Sequence, residues 1–168
     1  PRMITYTIDS SDLKSLAKVM RAAGPDLSRR MRREIRTVAK PVIDEMKDTI
    51  EAMPLPVVSG GVTPYSGPSG AGGISGRIAA ATKLSITQGG VRIRVSTGAL
   101  GNASNLPGYI DAGTTWRHPV MGNTLAWVSQ RAARDGWFTK TGLHHHPQIR
   151  RDVLEILTRY ATQLAGRL

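Results

Sequence analysis

The feature that most constrains this chain is one apolar stripe that runs through residues 26–53. Apolar side chains recur there at steps of three and four, the spacing of one face of an α-helix. The stripe consists of Leu27, Met31, Ile35, Val38, Val42, Met46, Ile50 and Met53. It predicts an amphipathic helix of about seven to eight turns. Pro41 lies inside the stripe and should kink the helix rather than end it, because the apolar spacing continues in phase.

Shorter patterns predict the remaining elements. Residues 3–8 alternate like a strand, and residues 13–20 carry the apolar spacing of a short helix. Residues 83–97 alternate on either side of a Gly-Gly pair, which predicts a hairpin, and one or two helical turns precede it. Residues 125–130 predict another short strand. Residues 98–123 are expected to be irregular, apart from a strand or helical turn in "GYIDAGTTW".

A second apolar stripe, near the end of the chain, predicts a C-terminal helix that opens at Pro147, since proline suits the first helical position. Residues 54–73 are rich in Pro, Gly and Ser and carry no charge, which predicts an extended loop without regular structure. We expect one α+β domain over residues 1–168. Its small, mainly antiparallel β-sheet is covered by the long kinked helix and the C-terminal helix.

The composition narrows the function. The net charge is +11, and no acidic residue lies between Glu51 and Asp111. Such a balance favours polyanion partners, or acidic neighbours in an assembly. The chain has no cysteine, which excludes disulfides and thiolate metal sites. It also lacks a signal-peptide pattern and any apolar run of the roughly 20 residues that a membrane span needs, so a soluble protein is expected.

Catalytic and metal-binding patterns are weak. Three consecutive histidines, His144–His146, cannot all face one ion from regular structure, and His118 is far away in the sequence. A hydrolase could recruit His118, Asp111 and a serine, but no serine stands in a nucleophile elbow. The glycine-rich loop lacks the Lys-Ser/Thr of a phosphate-binding loop. We therefore expect no enzyme activity and no cofactor, and a metal hydrolase is the least favoured alternative.

Nucleic-acid binding is a stronger alternative. The long helix carries Arg29, Arg32, Arg33 and Arg36 at helical spacing, and the second strand of the predicted hairpin alternates its apolar residues with Arg92 and Arg94. Such faces could neutralise phosphates without reading a base sequence. A solvated or subunit-contacting face explains the helical arginines better, because no helix-turn-helix, zinc or stacking motif accompanies them.

The stretch "WRHPVMGNTLAWVSQ", residues 116–130, places two tryptophans on either side of a Gly-Asn turn. Tryptophan is large and carries one donor, so it serves both as core and as an interface anchor. Packing inside the fold and contact with another subunit are both left open. The candidate subunit-contact residues are Trp116, Arg117, His118, Trp127, Trp137, Phe138 and, in the loop, Tyr65.

The middle of the chain resembles the HK97 gp10-like family of tailed bacteriophages. "ISGRIAAATKLSI" followed by "GGVRIRVST" is similar to the Gly-Leu-Arg element and hairpin of that family, with Ser75-Gly76-Arg77 in place of Gly-Leu-Arg. The family then has a Tyr, an acidic residue and Gly-Thr, followed by Pro-Phe and a C-terminal helix. The matching positions here are Tyr109, Asp111, Gly113, Thr114 and Trp137-Phe138, and the aromatic run resembles a version common in phages of actinobacteria.

This resemblance covers roughly residues 10–168 in element order. It implies a virion structural protein of the neck or tail end, made in the bacterial cytoplasm: a tail-completion, terminator or connector protein that forms a ring, commonly a hexamer. The implied partners are identical subunits, neighbouring neck and tail proteins and packaged DNA touched non-specifically, with no membrane and no small-molecule substrate. Basic residues facing the lumen would be Arg29, Arg32, Arg33, Arg36, Arg92 and Arg94.

Overall fold

The computed structural model describes residues 5–7, 18, 21, 24–55, 57–59, 73–87, 90–120 and 123–166. Over these residues the chain is an α+β protein with long helices and small antiparallel sheets, as predicted. Tyr65 and most of the loop predicted over 54–73 lie outside the described residues. So does most of the short helix predicted over 13–20.

Helix α1 spans Gly24–Glu51 and confirms the apolar stripe. Gly24 begins it with a φ of 70°, which glycine adopts without steric cost, and Pro25 follows in the first turn, where its missing N–H is not needed. The helix continues through Pro41, which is exposed. Its buried side chains are Met31, Ile35, Ala39, Val42, Ile43, Met46 and Ile50.

Two three-stranded sheets stand in place of the single sheet that the sequence predicted. In the first, β1 (Thr5–Thr7) and β3 (Thr82–Thr87) both pair antiparallel with the central strand β4 (Gly90–Val95). The predicted hairpin is therefore confirmed, and the N-terminal strand joins its far side. The apolar residues of β4 are buried and its two arginines are exposed, as the alternation indicated.

The second sheet has the order β2-β6-β5, built from Val57–Ser59, Asn123–Arg131 and Thr115–Val120. Strand β2 corrects the prediction that residues 54–73 hold no regular structure. Its entry is fixed by distant partners: Gln130 donates to the Leu55 carbonyl and the Ala133 N–H to the Pro54 carbonyl, each at 3.1 Å. With these contacts in place, the two adjacent valines can form an edge strand. Valine favours strands, and proline is tolerated at the edge of a sheet.

Short elements connect the two sheets. Helix α2 (Ile74–Ala81) occupies the predicted helical turns before the hairpin. The exception made for "GYIDAGTTW" is confirmed, because most of helix α3 (Leu106–Asp111) and the start of strand β5 fall in it. The rest of residues 98–123 is more regular than expected, since it holds much of a 3₁₀ helix (Thr97–Ala103) and the remainder of β5. These elements are too short to show a periodic apolar pattern.

Helix α4 spans Thr139–Ala165, so the predicted start at Pro147 is wrong by eight residues. Pro147 lies inside the helix and is exposed, and the three histidines precede it within the same helix. The apolar stripe after Pro147 is confirmed. One hydrophobic cluster joins α1 and α4 to the first sheet and to aromatic residues around the second. Its largest fully buried members include Trp137, Phe138, Met31, Ile35 and Met46.

Candidate interaction surfaces

A turn after helix α3 is joined to the start of α4 by hydrogen bonds. One carboxylate oxygen of Asp111 accepts the N–H groups of Phe138 at 2.8 Å and Thr139 at 3.1 Å. The Gly136 N–H donates to the Asp111 carbonyl at 2.6 Å. The carboxylate satisfies N–H groups at a helix start that have no partner inside the helix. We call this set of contacts the Asp111 clasp.

Two glycines allow the Asp111 clasp to close. Gly113 and Gly136 have φ values of 62° and 74°. A Cβ at Gly113 would lie 2.9 Å from the Asp135 Cβ, and one at Gly136 would collide with the Lys140 side chain. Lys140 donates to Asp135 at 2.7 Å, and this hydrogen bond and the ammonium charge lower the pKa of that carboxyl. Two of the segments that carry the family resemblance, 109–114 and 137–138, thus form one structural unit.

Burial corrects three of the predicted subunit contacts. Trp116 is 7% exposed, and Trp137 and Phe138, which pack edge to face with ring centroids 5.4 Å apart, are 1% and 0% exposed. All three belong to the core of this chain. They are therefore unavailable to another subunit unless the core opens. Packing inside the fold, the alternative left open for the tryptophans, holds for Trp116.

The outward face of the second sheet keeps Arg117 and Trp127 at the surface, whereas His118 is partly buried and its Nε2 has no partner among the described residues. Trp127 and Leu125 lie two residues apart on β6 and so face the same side of the sheet. They are 43% and 93% exposed. The Arg117 guanidinium lies 5.9 Å from the centroid of the Trp127 ring, within cation–π range. Pro119 pairs with Trp127 in register and a bulge follows it. We call Arg117, Pro119, Leu125 and Trp127 the aromatic sheet face.

The histidines and the carboxylate that were considered for catalysis or metal binding mainly contact groups that hold the fold together. The His118 Nδ1 lies 3.0 Å from the Pro119 carbonyl oxygen, and no hydrogen bond joins His118 to Asp111 in the described ranges. His145 Nε2 lies 2.6 Å from a carboxylate oxygen of Glu45, which ties α4 to α1. Over residues for which side chains are described, no group of three or more metal-binding side chains is present.

Polar contacts also join the C-terminal part of α4 to α1. The Tyr160 hydroxyl donates to Glu34 at 2.8 Å, and Arg159 pairs with the same carboxylate. Burial raises the pKa of Tyr160, and the hydrogen bond to Glu34 and its negative charge raise it further. Glu34 is thus engaged between the helices and does little to neutralise the arginines on the outer side of α1.

The N-terminal half of α1 carries an exposed basic face. Arg29, Arg33 and Arg36 are exposed, whereas Arg32 is only partly exposed and its Nε is buried without a partner among the described residues. Arg29 is paired with Asp26 one turn earlier. Within the described residues, Arg33 and Arg36 have no ion pair. The predicted basic face therefore exists, but one of its four arginines is partly withdrawn from it.

The C-terminal half of the same helix has the opposite sign. Asp48 and Glu51 are exposed and have no side-chain partner among the described residues. Both lie near the last turn, which contains no basic residue. Carboxylates there oppose the helix dipole, which favours cations at a C-terminus. The N-terminal half of α1 is therefore mainly basic and the C-terminal half mainly acidic, although Lys40, which pairs with Asp44, and Lys47 also lie there.

The first sheet carries a purely basic outward face. Arg92 and Arg94 alternate with the buried residues of β4 and are exposed, and so is Lys83 on β3. The register places Lys83 directly opposite Arg94 and Ser85 opposite Arg92. No ion pair or side-chain hydrogen bond involves these three cations in the part of the chain that the structure describes. We call Lys83, Ser85, Arg92 and Arg94 the basic sheet face.

Sequence reasoning missed several of these residues. Lys83 alternates with Leu84 and Ile86 in the printed sequence, which places it on the outward face. Its position opposite Arg94 was not predicted, because a turn at Gly89-Gly90 would place Ser85 there, whereas Gly90 pairs with Thr87. The acidic half of α1 was visible at helical spacing as well. The capping role of Asp111 was not, because its partners lie 27 and 28 residues further along the chain.

Comparisons with protein families, with curated proteins and with solved structures found no match for this chain. Among the described helices, none has the length and apolarity that crossing a bilayer requires.

Proposed function

We propose that this chain is a non-enzymatic structural subunit of a tailed-bacteriophage virion, at the neck or tail end, where copies of it assemble into a ring. Its role would be that of a tail-completion, terminator or connector protein. The resemblance to the HK97 gp10-like family supports the assignment to a phage. The Asp111 clasp adds to that support, because it gives the two separate motif segments of the resemblance a shared structural purpose.

The reversed charge of helix α1 is the observation that carries the assembly. Arg33 and Arg36 lie three residues apart on the helix, as do Asp48 and Glu51, so each half repels itself. The carboxylates also oppose the helix dipole. An isolated subunit gains nothing from this arrangement. A second copy that brings its acidic half against the basic half of the first would offset both costs.

When the acidic half of each copy meets the basic half of the next copy, the contact joins two different surfaces of the same chain. Contacts of this head-to-tail kind repeat from copy to copy and close into a ring when the rotation between neighbours allows it. The aromatic sheet face would add apolar area to the contact, since aromatic residues and arginine are enriched at protein interfaces. An exposed Leu125 beside Trp127 fits that use better than solvation does.

The oligomeric mass tests this proposal. Native mass spectrometry and sedimentation should find one closed multimer at about 0.1 M salt, and the multimer should dissociate near 1 M salt as charges are screened. The variant R33E/R36E should be a folded monomer. The matched variant R134E/R151E, with the same charge change at exposed arginines elsewhere, should assemble like the wild type.

A wild-type chain that stays monomeric at every concentration would refute assembly. Equal loss of the multimer in R33E/R36E and R134E/R151E would remove α1 from the contact. The phage assignment has its own test: antibody labelling of particles should place this protein at the neck or tail end, and absence from purified particles would contradict it.

A further inference from the structure

The outward face of the first sheet presents cations that no side chain in the described part of the chain neutralises. Lys83 and Arg94 are directly opposite each other on neighbouring strands, and Arg92 follows two positions along β4. Like charges directly opposite in a sheet are destabilising. No acidic residue occurs in the sequence from Pro54 to Ile110, so β3 and β4 supply no carboxylate of their own. An external anion would relieve the repulsion.

We propose that the basic sheet face binds the phosphate backbone of a nucleic acid without reading its base sequence. This goes beyond ring assembly, which uses another surface, and it does not depend on it. The basic sheet face belongs to β3 and β4, whereas the proposed contact between copies belongs to α1 and to the second sheet. It also differs from the helical arginines that the sequence offered as the leading nucleic-acid face.

The chemistry of the face favours phosphate over an acidic protein. Its described outward side chains are two arginines, a lysine and a serine, the residue types that commonly donate to phosphate oxygens. The strand positions across β4 from Arg94 and Arg92 are Thr5 and Thr7. Arginine is also enriched at protein interfaces, but those interfaces have aromatic residues at their centre and are depleted of lysine and serine.

The same composition sets the kind of binding. No aromatic side chain stands among the described residues of the basic sheet face, so it offers no platform on which unpaired bases could stack. Arg92 and Arg94 lie two residues apart on a strand, about 6.8 Å along it. That spacing lets the two guanidinium groups reach successive phosphates of one nucleic-acid strand. Affinity should therefore depend on salt and hardly at all on sequence.

Fluorescence anisotropy with duplex DNA of about 30 base pairs, titrated over a salt series, tests the proposal. Each phosphate that is neutralised contributes about 0.9 to the slope of log affinity against log salt. The variant R92Q/R94Q should therefore lower the magnitude of that slope by about 1.8, and K83Q should lower it by about 0.9. Duplexes of unrelated sequence should bind alike.

The variant R134Q/R151Q is the matched control, because it removes two exposed arginines from other elements. It should keep the wild-type slope. Circular dichroism and sedimentation should show the fold and mass of the wild type for every variant, so a change in slope cannot come from unfolding or lost assembly.

Three outcomes would overturn the proposal. One is a wild type that does not bind DNA at low salt. Another is an equal change of slope in R92Q/R94Q and R134Q/R151Q, which would mean general charge attraction. The third is tighter binding of poly-glutamate than of DNA at the same face, which would identify an acidic protein as the partner.

Discussion

Helix α1 and the first sheet both present arginines to solvent, but they differ in what accompanies those arginines. The exposed side of α1 carries mainly cations in one half and mainly carboxylates in the other, whereas the charged residues of the basic sheet face are all cations. A surface with both signs can complement a copy of itself. A surface with one sign can complement only something else. Local charge pattern, more than net charge, thus separates two kinds of partner in one chain.

The second sheet offers a related comparison, because one of its two tryptophans is buried and the other lies at the surface. Trp116→Ala should lower the free energy of unfolding by about 3–5 kcal/mol, because it empties a buried site. Trp127→Ala should lower it by about 1 kcal/mol or less, since the ring is half exposed and loses mainly its contact with Arg117. Urea denaturation measures both, and equal losses would contradict this difference in burial.

Reversing both halves of α1 in one chain sharpens the comparison further. The variant R33E/R36E/D48K/E51K restores complementarity between copies and places cations in the last turn, where the dipole favours them. It should assemble like the wild type. Its unfolding free energy, measured under monomeric conditions at high salt and low protein concentration, should not fall. At low salt the C-terminal pair should add about 0.5–2 kcal/mol. A monomer would show that charge order along α1 does not direct assembly.

Asp111 lies in neither surface and serves as a test of the fold alone. Asp111→Ala removes the acceptor of two N–H groups at the start of α4 and should lower the unfolding free energy by about 0.5–2 kcal/mol. Assembly and the salt slope of DNA binding should stay as they are in the folded protein. A lost multimer with unchanged stability would instead make the Asp111 clasp part of an interface.

The smallest expected effect comes from the first sheet. Arg94→Glu places a carboxylate opposite Lys83 and replaces a like-charge pair with an opposite-charge pair. The unfolding free energy should rise by about 0.2–1 kcal/mol while DNA affinity falls. The same change at Arg151, which is exposed on α4, should leave both nearly unaltered. A loss of stability in Arg94→Glu would mean that the cations support the fold and need no anion.

The sequence predicted those parts of the fold that depend on local repetition. The stripe of α1 and the alternation of β3 and β4 each repeat often enough to identify an element and its buried face. The start of α4 could not be predicted, because its cap comes from Asp111 in a distant turn. Strand β2 depends on contacts of Leu55 and Pro54 with residues near 130, which no local pattern contains.

The candidate surface residues also divide into those that a local pattern predicted and those that depended on distant contacts. The exposure of Arg92 and Arg94 followed from alternation, but Trp116 and Trp127 flank a turn and a bulge, so their faces could not be assigned from spacing. Trp137 and Phe138 resembled interface anchors in the sequence because nothing local shows that Asp111 fixes them at the start of a buried helix. Long-range pairing decided which aromatic residues stayed at the surface.

Mixing two charge variants tests most directly whether α1 joins copies head to tail. R33E/R36E has two acidic halves and D48K/E51K has two basic halves, so neither should assemble alone. An equimolar mixture should recover the multimer, with the two variants alternating in native mass spectra. A mixture that stays monomeric, or either variant assembling by itself as the wild type does, would contradict the account.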